Sequence, residues 1–131
     1  MSPNPTAPAA GWARRPWTPW LAALIALALA SAVRHWIVEP PAFAHACDPA
    51  PWAGWCAARS LVLRSFINAE IGWFALAAGV AAALTRWRGL AQVALVAGCA
   101  GLVLYSYEPA AVGGLLGVLV LARAAAPAPR R

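Results

Sequence analysis

Residues 61–85 read LVLRSFINAEIGWFALAAGVAAALT. A helix rising ~1.5 Å per residue over this stretch would cross a hydrocarbon core about 30 Å thick. The second half is almost purely apolar, whereas the first half carries Arg64, Asn68 and Glu70. Ionisable groups inside a membrane segment are costly, so they mark a working position or a specific partner.

Three further apolar segments surround this one, at residues 17–38, 90–105 and 109–122. Of the 131 residues, 63% are hydrophobic and 11% charged, and a soluble domain of this size could not hide so much apolar surface. The expected fold is all-α. It is a four-helix transmembrane bundle, antiparallel up-down, with a disulfide-closed outer loop between the first two helices. Residues 1–16 and 124–131, small and proline-rich, read as disordered tails around a membrane domain at 17–123.

All ten basic residues are arginine, and they are distributed unevenly. In the four-span reading Arg14, Arg15, Arg86, Arg88, Arg123, Arg130 and Arg131 fall on the side of the termini, with no acid among them. Arg34, Arg59 and Arg64 fall toward the other side, with all four acids, Glu39, Asp48, Glu70 and Glu108. The positive-inside rule then puts both termini in the cytoplasm and the loop at residues 39–59 outside. Abundant Ala, Arg, Pro and Gly suggest a GC-rich genome, and the expected location is a bacterial inner membrane. Nucleic acid is not an expected partner, because the arginines sit at segment ends where topology accounts for them. A competing reading takes Arg14-Arg15, the first apolar run and Ala30-Ser31-Ala32 as a cleavable secretory signal, with Ala42-Phe43-Ala44 as a second cleavage site. The apolar run continues through Val33, Trp36, Ile37 and Val38, which favours an uncleaved span.

Cys47 and Cys56 lie in the outward loop, where a cysteine pair reads as a disulfide worth roughly 2–3 kcal/mol by chain entropy. They form no C-x-x-C, and Cys99 reads as a small packing residue within a span. His35 and His45 are the only histidines and only one lies near a span, so haem between facing helices is not expected. A metal site from His35, Glu39, His45 and Asp48 matches no known ligand spacing. The cofactor is left unknown and no catalytic residue is assigned.

The polar residues within the spans fall on one level. Counting ~1.5 Å per residue from the inner ends, Glu70 and Glu108 lie about 22 Å out, Asn68 about 25 Å, Tyr105 about 24 Å and Arg34 about 21 Å. The expected site is a polar layer of Arg34, Arg64, Asn68, Glu70, Tyr105 and Glu108, open to the outside. Arg34 and Arg64 would balance Glu70 and Glu108. Arg64 and Asn68 would share a helix face, with Glu70 about 120° around, turned toward Arg34 or Tyr105. Small residues at packing intervals (Ala22, Ala26 and Ala30; Ala75, Gly79 and Ala83; Ala94 and Gly98; Gly113 and Gly117) point to close helix packing within one bundle, or to a homodimer seam at Gly113 and Gly117. The expected role is a non-enzymatic accessory or assembly subunit, or a binding module, with the bilayer and a larger membrane protein or second copy as partners. The alternative is a small transporter or proton-coupled carrier using Glu70.

Overall fold

The computed structural model describes residues 17–126, and among these there are helices and no strands. Helix α1 is Thr18–Val33, α2 Pro41–Cys47, α3 Trp55–Ile67, α4 Glu70–Thr85, α5 Arg88–Val103 and α6 Tyr107–Ala125. The expected tail at 1–16, and the part of 124–131 beyond Ala126, lie outside the described residues. Helix α6 itself continues two residues past Arg123.

Helices α4, α5 and α6 form the central block, and α1 packs on α5. Only two residues, Arg86 and Trp87, separate α4 from α5, and Leu104 to Ser106 turn α5 into α6. Such short links force antiparallel neighbours. Gly79 of α4 faces Gly113 of α6 and Gly72 faces Ser106 and Pro109, so α4 and α6 run parallel. Gly98 faces Gly114 and Gly117 faces Ala91, so α5 runs against them.

The core is built from the smallest side chains. Ala75, Ala82, Ala91, Ala94 and Ala110 are 0% exposed, and no large side chain among the described residues is fully buried. A Cβ on Gly79 would sit 2.6 Å from the Gly113 carbonyl oxygen, and one on Gly113 would overlap the Ala75 carbonyl. The backbones of α4 and α6 are therefore in direct contact, as small residues permit. Gly113 and Gly117, the positions considered for a homodimer seam, are buried against α4 and α5 of the same chain. Larger contacts close the two ends of the block. Ala30, Phe66 and Leu104 cluster at one end, and Ala82, Ala91 and Val120 at the other.

Two local features differ from the sequence reading. The stretch at 61–85 is not one helix: α3 starts earlier, at Trp55, and ends at Ile67, and α4 starts at Glu70 after a bend of 53°. Ala69 supplies the bend with a left-handed backbone, φ 53°. The break lets Phe66 pack on Ala30 and Leu104 while Gly72 lies against Ser106 and Pro109. Alanine is a strong helix former, so local propensity gives no sign of the break.

The second feature is the end of α1, which continues through Val38 as a π-helical turn at Arg34–Val38. Pro40 and Pro41 lack amide protons, so the carbonyls of Trp36 and Ile37 lose their normal i+4 donors. The Glu39 amide bonds back to the Arg34 carbonyl at 3.0 Å, and the Arg59 guanidinium donates to the Ile37 carbonyl at 3.4 Å. Pro41 then opens α2 from an extended Pro40.

By length and composition, Thr18–Val38 and Tyr107–Ala125 can each cross a membrane, and the bent α3–α4 pair supplies a third candidate. Helix α5 is apolar but has 16 residues.

Candidate functional site

The polar residues gather at the end of the block where α1 and α5 finish and α6 begins. Arg34 is their centre. Its Nε donates to Glu39 Oε1 at 2.8 Å, and a second guanidinium nitrogen donates to the Val103 carbonyl at 3.3 Å. The guanidinium lies over the Tyr105 ring, 4.5 Å from its centroid. Tyr105 reaches that place from a left-handed backbone in the α5–α6 turn, φ 65°, and meets Tyr107 edge-on at 6.2 Å. His35 Nδ1 lies 2.7 Å from the other Glu39 oxygen. The Arg34 hydrogen bond, then that of His35, holds the Glu39 carboxyl below the usual carboxylate range.

The structure thus brings Arg34 and Tyr105 together but gives Arg34 a partner from its own helix end. Arg64 points elsewhere, over the Trp52 ring at 5.3 Å. Asn68 caps the end of α3, and Glu70 opens α4 beyond the Ala69 bend, so the 120° relation expected on a continuous helix does not apply. Glu70 and Glu108 each sit in a helix first turn, where the macrodipole favours negative charge. Among the described residues, Asn68, Glu70 and Glu108 make no side-chain hydrogen bond or ion pair.

Glu39 and His35 are the residues that the sequence reading left out of the layer. Their i, i+4 spacing just before a proline pair was a legible signal for a side-chain pair closing a helix end.

Outside this end, Cys47 and Cys56 form the expected disulfide, with Cα atoms 5.4 Å apart. It joins the end of α2 to the first turn of α3, and Ser60 Oγ donates to the Pro51 carbonyl at 2.7 Å across the same loop. The bend between α3 and α4 leaves an open apolar groove of about 470 Å³ lined by Leu61, Val62, Ser65, Phe66, Ile71 and Phe74, with Glu70 as its one carboxylate. No three His, Cys, Asp or Glu residues converge as metal ligands among the described residues. The arrangement offers charge, apolar contact and hydrogen-bond acceptance. No family model, curated protein or solved structure matches the chain.

Proposed function

We propose that this chain is a small integral membrane protein that acts as a non-enzymatic accessory or assembly subunit. Its four apolar segments (α1, the α3–α4 pair, α5 and α6) cross the bilayer up and down, with both termini cytoplasmic and the disulfide loop outside. The observation that carries the membrane reading is the inverted distribution of side-chain size. Alanine and glycine fill the interior, while Leu24, Leu84 and Ile67 stand outward at 63%, 80% and 82% exposure. Water penalises such a surface, whereas lipid tails accept it without cost. The groove between α3 and α4 is the surface on which a partner helix would dock, because it is apolar and its carboxylate has no partner among the described residues.

Extraction in mild detergent is expected to recover a stoichiometric membrane partner, and Phe74→Ala with Val62→Ala to lose it while the chain still accumulates. Purification as a lone monomer would overturn the subunit reading.

A second reading, a small carrier working through Glu70, draws on the same unpaired carboxylate. It expects Glu70→Gln to abolish a pH-dependent flux at unchanged membrane abundance. A variant with normal flux would rule the carrier out.

A further inference from the structure

At the end of the block remote from the disulfide, α4 and α6 finish side by side. A cleft of about 440 Å³ opens between them, lined by Ala83, Arg86, Val120, Arg123 and Ala124, and it is more enclosed than the α3–α4 groove. We infer that this cleft holds the phosphate of an anionic phospholipid between Arg86 and Arg123. The inference rests on the membrane reading above, which puts this end at the cytoplasmic leaflet.

The cleft holds charge without a counter-charge. Among the described residues neither Arg86 nor Arg123 has a hydrogen bond through its side chain, an ion pair or a ring contact. All four acidic residues, Glu39, Asp48, Glu70 and Glu108, belong to the opposite half of the helices or the outer loop. Two guanidiniums on adjacent helix ends are suited to a phosphate, which arginine binds through paired N–H donors.

Arg86 ends α4 in a left-handed conformation, φ 55° and ψ 23°. That position after a helix is normally glycine, which adopts the conformation without steric penalty. Here an arginine stands in it and lines the cleft.

Helix C-termini present carbonyl oxygens, which repel anions. The Ala124 carbonyl is already taken, because the Arg88 guanidinium donates to it from the start of α5. The apolar part of the lining, Val120 at 7% exposure with Ala83, suits the glycerol and first methylenes of a lipid better than a free hydrated ion. Basic pockets between membrane helices at the cytoplasmic leaflet bind lipid headgroups on these terms.

The test uses the full chain, carried through native mass spectrometry from detergent doped with phosphatidylglycerol or phosphatidylcholine. Phosphatidylglycerol is expected to remain bound in preference to phosphatidylcholine. Arg86→Gln or Arg123→Gln each lowers its retention about fivefold. Arg64→Gln removes the same charge at the far end and leaves retention unchanged. Arg86→Gly provides a variant whose backbone is relaxed, so it keeps the fold while losing the lipid. Equal loss in Arg64→Gln would reduce the effect to general charge and overturn the site. Displacement of the lipid by millimolar inorganic phosphate would assign the cleft to a free anion and overturn the lipid. Release of the wild-type chain from membranes by alkaline carbonate would instead refute the membrane reading itself.

Discussion

Arg34 joins three pieces of chain with one side chain: its own helix end through Glu39, the end of α5 through the Val103 carbonyl, and the α5–α6 turn through Tyr105. Arg64 has a single aromatic contact. Arg34→Gln is therefore expected to lower the unfolding midpoint in detergent more than Arg64→Gln does. The Glu39 link also has a pH signature. Its folded pKa lies below the ordinary 4.5, so its contribution is complete above that value and is lost as pH falls through the depressed folded pKa. Melting followed by circular dichroism should show wild type more stable than Glu39→Gln at neutral pH, with the two curves converging in acid as the Glu39 carboxylate takes up its proton. A difference that persisted unchanged to the lowest pH would mean that the carboxylate charge is not what the contact uses.

At the scale of elements, the glycines make unequal predictions. Gly113 has no room for a methyl group, since a Cβ would overlap the Ala75 carbonyl, whereas a Cβ on Gly114 would meet only the Gly98 Cα at 3.6 Å. Gly113→Ala should destabilise by about 1–3 kcal/mol, and Gly114→Ala should stay within roughly 0.5 kcal/mol of wild type, both read as shifts in denaturation midpoint. Ala69→Gly should stabilise by up to about 1 kcal/mol by removing the left-handed penalty at the α3–α4 bend, while Ala69→Val should do the reverse. Replacing Cys47 and Cys56 by serine should lower stability by roughly 2–3 kcal/mol. Much of this was legible beforehand. The helical class followed from apolar run length, and the disulfide from two cysteines nine residues apart in one loop. The close contact at Gly79, Gly98 and Gly113 followed from small residues at helical spacing. The break at Ala69 was not legible, because it comes from contacts of Phe66 and Gly72 with other helices and no local residue announces it. The layer residues Arg34 and Tyr105 were placed at a common level by counting rise. Pairing between them and the acids depends on side-chain reach, which depth alone does not give.

For the whole molecule, the decisive pattern is an interior of alanine and glycine under a coat of leucine, isoleucine and tryptophan. Reporter fusions at the two ends are expected to place both in the cytoplasm. A thiol reagent that cannot cross membranes should label Cys47 and Cys56 only after reduction, and from outside. Labelling from the cytoplasmic face would reverse the proposed orientation. The bend at Ala69 has a mechanical meaning for such a molecule. In the α4–α6 block backbone lies against backbone, so it resists shear and twisting like a solid post. Helix α3 is tied at its far end by the disulfide and at its near end by Phe66, which packs on Ala30 and Leu104. Ala69 is the corner of a brace pinned at both ends. A load applied to the outer loop would pass down α3 to the Phe66 contact and into the post, beside the groove at Glu70.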